Sequence, residues 1–215
     1  MQLAEQLRAR RRERAQPLIM GHVVVGHPDL ATCSKLVDSM VAAGVDLLEL
    51  QLPFSEPLAD GPVIAHACQR AVQNGVTVDA CFELAWQVAQ RHSIPLVFVS
   101  YYNLVYQRGL ARFAEGARAA GVAGVLVPDC PLEESDDYAS ALREAALAPI
   151  FMLSPRSSDE RLRALGRAGD GFVYAAARKG VTGLRTEFSL DLARYLERCR
   201  RATELPLAVG FGVET

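Results

Sequence analysis

Short, continuously apolar runs alternate with longer amphipathic stretches along the whole 215-residue chain. The runs at 18–25, 46–50, 95–99, 124–127, 149–153, 171–175 and 205–209 lack the in-and-out alternation of a half-exposed strand. They predict strands buried on both faces. Between them, segments 32–43, 62–73, 78–90, 109–120, 132–146, 158–168 and 189–203 place apolar residues at helical spacing. Gly44, Gly121 and Gly169 stop three of these helices, and Asn74-Gly75 separates two. Ahead of the first strand, residues 1–16 carry Leu3 and Leu7 four positions apart. That spacing predicts a short amphipathic helix lying exposed on the surface.

Strands buried on both faces and joined through helices build either a doubly wound sheet or a closed barrel. No strand leads into a G-x-G-x-x-G turn, and polar, glycine-rich segments repeatedly follow strand C-termini, where barrels place their chemistry. The expected fold is therefore α/β, a TIM (β/α)8-type barrel that stops after its seventh strand. Such barrels typically run to about 250 residues. The expected organisation is an N-terminal helix over 1–16 and a barrel over 17–215, incomplete at its C-terminus.

Composition narrows the function. Half the residues are hydrophobic and 22% charged, as in an ordinary globular chain. A net charge of −2 gives no electrostatic reason to expect nucleic acid or an anionic membrane, and no apolar run is long enough to span a bilayer. The basic N-terminus sets five arginines against two glutamates, unlike an acid-poor transit peptide. Cys33, Cys68, Cys81, Cys130 and Cys199 are odd in number and form no C-x-x-C pair, which points to a reducing, cytoplasmic setting. His22, His27, His66 and His92 show no metal-ligand spacing, so no metal is expected and surface or satisfied loop positions are the default.

Candidate chemistry gathers after the second strand. Glu49 stands inside an apolar run, where an ionised carboxylate is costly unless it is paired or its pKa rises. It is either a tuned general acid/base or half of a structural ion pair. Asp60, before Gly61-Pro62, is either an N-cap for the next helix or the partner of Glu49 in acid–base work. Gly180-Val181-Thr182-Gly183 and Gly210-Phe211-Gly212 follow the sixth and seventh strands, where backbone N–H groups can cradle a phosphate. Tyr101, Tyr102 and Tyr174 lie at strand ends, where aromatics line a flat apolar pocket or pack the rim.

Several of these segments together resemble the tryptophan synthase alpha chain family. The resemblance rests on LELQLPFSEPLADGP at 48–62, YNL at 102–104, VPDCPLEE at 127–134, APIF at 148–151, RKGVTG at 178–183 and GFG at 210–212. Order and spacing agree from about residue 17 onward. The resemblance implies a TIM barrel that cleaves indole-3-glycerol phosphate to indole and glyceraldehyde 3-phosphate by a retro-aldol reaction. Glu49 would move the proton to indole C3, Asp60 would face the indole N–H, and Tyr174 would stand beside the glutamate. Val99 and Tyr101 would line the indole pocket, Thr182 and Gly183 would belong to a mobile loop, and Gly183, Phe211 and Gly212 would hold the phosphate side and the indole. Glu56, Asn103 and Pro131 would face a beta chain in an alpha2-beta2 assembly. That partner would carry the pyridoxal phosphate, leaving this chain without a cofactor.

The chain also departs from the family pattern. Gln51 replaces a glycine, Glu56 an aspartate, His22 an aromatic and His27 an aspartate. The family continues past the seventh strand into an eighth, which supplies a Gly-Ser phosphate contact. Two rival readings follow: a non-catalytic alpha-like subunit that regulates a beta chain, favoured by Gln51 and the open barrel, and another phosphate-binding barrel enzyme, opposed by the PFSEPLADGP loop.

Overall fold

The structure, a computed structural model, describes residues 2–177 and 190–210. The apolar runs form one sheet of strands β1 (Met20–Val24), β2 (Leu47–Gln51), β3 (Leu96–Val99), β4 (Gly124–Leu126), β5 (Ala148–Leu153), β6 (Val173–Ala176) and β7 (Leu207–Gly210). They lie in sequence order, every neighbouring pair parallel. The intervening helices are α1 (Leu3–Arg12), α2 (Leu30–Ala42), α3 (Pro62–Gln73), α4 (Val78–Arg91), α5 (Tyr102–Arg108), α6 (Leu110–Ala119), α7 (Asp136–Glu144), α8 (Asp159–Ala168) and α9 (Leu190–Ala202). This is the expected barrel-type α/β arrangement, curled into an arc of seven strands. Among the described residues β1 and β7 each pair with one strand, and Leu207, Ala208 and Val209 of β7 are only half-buried, as at a sheet edge. No described helix is long and apolar enough to cross a membrane.

Alternation along each strand divides the core. Leu48, Leu50, Leu96, Phe98 and Val125 face outward and pack on helices through Cys33, Val37, Phe82 and Phe113. Phe151, Leu153, Val173 and Ala175 do the same against α8 and α9. The other set, Leu47, Val97, Val99, Leu126, Ile150, Phe172 and Tyr174, fills the concave side.

The first helix departs from expectation. Leu3 and Leu7 are 4% and 6% exposed and join the concave cluster as a plug at the N-terminal ends of the strands, instead of lying on a solvated surface helix. The fit is close: a Cβ on Gly171, which has φ +74°, would sit 2.8 Å from Leu3 Cδ2. The arginines of this segment tether the plug. Arg8 donates to the Glu204 carbonyl at 2.8 Å, Arg10 to the Ser93 carbonyl, and Arg14 pairs with buried Asp46 at 3.2 Å. Asp46 also accepts the Ile19 N–H at 2.9 Å, so the second strand begins at Leu47.

Two further differences bear on the site. The stretch after β3, for which the sequence predicts no helix before residue 109, forms α5 from Tyr102, because Val105 is buried and Asp129 accepts the Tyr102 N–H at 2.9 Å. These contacts override the weak helix preference of Tyr, Asn and Val. The helix expected over 132–146 splits into a 3-10 turn at Leu132–Glu134 and α7, where the buried Ser135 hydroxyl donates to the Leu132 carbonyl at 2.8 Å.

Leu7→Ala is expected to lower unfolding free energy by about 2–4 kcal/mol in urea. Leu58→Ala, at a side chain 80% exposed, is expected to stay within about 0.5 kcal/mol. Equally small effects for both would contradict the plug.

Candidate active site

Strand β2 presents Glu49 and Gln51, two positions apart, to the concave side near its C-terminal end. Glu49 is 4% exposed, its Oε1 has no hydrogen-bond partner, and among the described residues no cation pairs with it. Among the described residues, then, Glu49 is not half of a structural ion pair. Burial without compensation pushes the carboxyl up to about 8, so Glu49 is mostly protonated at neutral pH.

Asp60 sits where the loop after β2 meets α3. It does not cap that helix: Gly61 is the N-cap residue and Pro62 the first helical position. Its Oδ2 instead accepts the Gln51 amide at 2.7 Å and the Tyr101 hydroxyl at 2.8 Å. Tyr101 Oη accepts the Ala59 N–H at 3.0 Å, and its ring stacks on Phe54 with centroids 5.3 Å apart. The loop is thus pinned at Ala59 and Asp60 by one tyrosine. Gln51 Oε1 in turn meets His22 Nε2 at 2.8 Å. His22, expected at a surface or loop position, is a strand residue turned into the site.

Tyr174 enters from β6 and is buried. Desolvation, reinforced by the charges of Glu49 and Asp60, holds its phenol far above the ordinary tyrosine range, so it stays neutral. Gly210 on β7 makes room for it: a Cβ there would lie 1.9 Å from Tyr174 Oη. Only glycine fits that close approach.

The structure therefore brings Glu49, Asp60, Tyr174 and Tyr101 together, with Val99 buried beside Gln51 in the β2–β3 register. Thr182, Gly183, Phe211 and Gly212 lie outside the described residues. Glu56, Asn103 and Pro131 are exposed on successive loops or helix starts after β2, β3 and β4, on the same end of the barrel as the carboxylates. The sequence did not single out Phe54, nor Gly210 as the neighbour of Tyr174. For His22 and Gln51 the signal was present: polar residues at alternate positions on inner strand faces. A cleft of about 530 Å³ opens beside His22, between β1, α2 and α3, lined by His27, Leu36, Val63 and Ala67 among others. Neither Glu49 nor Asp60 lines it. Among the described residues no group of three His, Cys, Asp or Glu is arranged to hold a metal ion.

The fold and the site define an α/β barrel with a carboxyl pair of unlike environments at the C-terminal ends of its strands. The family model for the tryptophan synthase alpha chain matches residues 8–215. The tryptophan synthase alpha chain of Syntrophotalea carbinolica is 50% identical over 197 residues, covering 92% of this chain and 78% of that relative. That of Desulforapulum autotrophicum is 50% identical over 208 residues, 97% of this chain and 82% of its own length. Among solved structures, Mycobacterium tuberculosis tryptophan synthase superposes with a TM-score of 0.91 at 32% identity, covering 99% of this chain and 81% of that one. A chain of the tryptophan synthase alpha2-beta2 complex of Pyrococcus furiosus superposes at 0.85 with 32% identity, covering 91% and 79%. This chain belongs to the tryptophan synthase alpha chain family.

Burial of Glu49 has a thermodynamic consequence. The unfolded chain releases this proton near 4.5, the folded chain near 8. Between those values the folded state holds a proton that the unfolded state has lost, so stability falls as pH rises from about 4.5 towards 8. At pH 7 the loss is about 3 kcal/mol. Glu49→Gln abolishes this dependence. Urea unfolding between about pH 5 and 8 should show the variant gaining on the native chain as pH rises; curves that stay parallel would contradict a protonated Glu49.

Proposed function

We propose that this chain is the lyase subunit of tryptophan synthase, cleaving indole-3-glycerol phosphate to indole and glyceraldehyde 3-phosphate. The observation that carries this reading is the pairing of a buried, protonated Glu49, whose Oε1 lacks a hydrogen-bond partner among the described residues, with an Asp60 whose Oδ2 is saturated by donors. Retro-aldol cleavage needs a proton at indole C3 before the side chain can leave. Glu49, as the neutral acid, delivers it, and positive charge develops at the indole nitrogen. Asp60, with Oδ2 engaged by Gln51 and Tyr101, offers Oδ1 to the N–H and stabilises that charge. The glutamate carboxylate then removes the hydroxyl proton from the carbon next to C3. The C–C bond breaks, its electrons return to the ring, the aldehyde forms, and Glu49 regains its proton. Tyr174, held neutral, supplies a hydroxyl beside Glu49.

On the same reading Val99 and Tyr101 wall the indole pocket. Thr182 and Gly183 close over the substrate and exclude water. Gly183, Phe211 and Gly212 hold the phosphate side and the indole. The exposed Glu56, Asn103 and Pro131 meet a beta chain in an alpha2-beta2 assembly in the cytoplasm. The pyridoxal phosphate that consumes indole resides in that partner, and this chain works without a cofactor of its own.

The test is indole release from indole-3-glycerol phosphate, with and without a beta chain. Glu49→Gln and Asp60→Asn are each expected to lower kcat by about 10²-fold or more. The native kcat/KM should decline as pH passes about 8, where Glu49 loses its proton. Retention of most activity in either variant would refute the assignment. Absence of indole release, with stimulation of the beta chain retained, would favour the regulatory reading.

A further inference from the structure

The hydrogen bonds around Asp60 have a direction that the protons fix. Oδ2 of Asp60 accepts the Tyr101 hydroxyl, and a carboxylate oxygen carries no hydrogen to donate to Gln51. The Gln51 atom 2.7 Å away is therefore the Nε2 donor, which settles the amide orientation and turns Oε1 towards His22. Oε1 can only accept, so the imidazole nitrogen 2.8 Å away, Nε2, carries a hydrogen. Partial burial holds this imidazole below its ordinary pKa, in the neutral state. The chain of donors runs from His22 through Gln51 to Asp60, and a second chain runs from the Ala59 N–H through the Tyr101 hydroxyl to the same carboxylate oxygen.

We propose that Gln51, seated by His22, is a positioning residue that sets the rotation of the Asp60 carboxylate. One donor, Tyr101, fixes a point on Oδ2; a second donor from a different direction fixes the plane of the group and thus where Oδ1 aims. The inference rests on the reading that Oδ1 receives the indole N–H. The two residues also explain each other. The fold places their polar ends in contact. Gln51 beside an aromatic would leave its Oε1 unsatisfied. His22 beside glycine would leave its Nε2 hydrogen unsatisfied, a costly condition inside a barrel.

Two measurements test the relay. The first is 15N NMR of the imidazoles in the native chain, with His22→Phe used to assign the signal. The expected result is the Nε2–H tautomer for His22, and an Nδ1–H tautomer overturns the relay. The second is steady-state indole release. Gln51→Met, similar in length but without hydrogen-bonding groups, should lower kcat by about 10- to 100-fold with KM changed by less than about threefold. His22→Phe alone should also lower kcat, and adding it to Gln51→Met should cost little more, since the histidine acts only through the amide. Native kcat in Gln51→Met, or independent and additive losses, overturns the proposal. If the native chain releases no indole, the cleavage reading falls by itself, and the His22 tautomer still decides whether the relay exists.

Discussion

The carboxyl of Glu49 lies buried on the concave face of β2 and, among the described residues, has no cation paired with it and no hydrogen-bond partner for Oε1. Water would stabilise its charge; the barrel interior does not, and the proton stays. Almost every other feature of the site follows from keeping that one group dry while supplying its neighbour with donors. Asp60, eleven positions later on the flanking loop, has two side-chain donors on a single oxygen. The same functional group thus stands in two environments a short distance apart, which is how one site separates an acid from an anion-like acceptor. Tyr174 adds a hydroxyl without adding charge, because burial and the nearby carboxylates keep it protonated.

The two ends of the sheet divide the labour. At the N-terminal ends of the strands, Leu3 and Leu7 plug the interior, and Arg8, Arg10 and Arg14 bind the loops that lead into β7, β3 and β2. At the C-terminal ends, loops and short helices carry Asp60, Tyr101 and the exposed Glu56, Asn103 and Pro131. Conformational precision is supplied from below and chemistry is placed above, the usual division in barrels of this type. The site is also stiffened locally: Tyr101 stacks on Phe54 and hydrogen-bonds both Ala59 and Asp60, so the loop after β2 is held against β3.

Much of the architecture was legible because strands buried on both faces announce themselves as unbroken apolar runs, and Glu49 broke such a run. What sequence could not separate were readings that differ only in three dimensions. Two leucines four apart look the same against a barrel floor or on a surface, and only the packing of Leu3 and Leu7 decided. Asp60 before Gly-Pro fits a helix cap as well as a catalytic group, and only the Gln51 and Tyr101 contacts excluded the cap. Tyr102–Arg108 has poor intrinsic helix preference and is helical because of where Val105 and Asp129 lie. The His22–Gln51 contact spans 29 positions and depends on the parallel register of β1 on β2, in which His22 pairs with Glu49 and Val24 with Gln51. Gly210 beside Tyr174 is likewise a product of β6–β7 pairing.

Burial keeps the Glu49 carboxyl protonated at neutral pH, as the proposed role of a neutral acid requires. The most direct measurement is a 13C NMR titration of the Glu49 side-chain carboxyl in the native chain, assigned with Glu49→Gln. A single titration near 8 is expected. A midpoint near 4.5, the ordinary glutamate value, would contradict it.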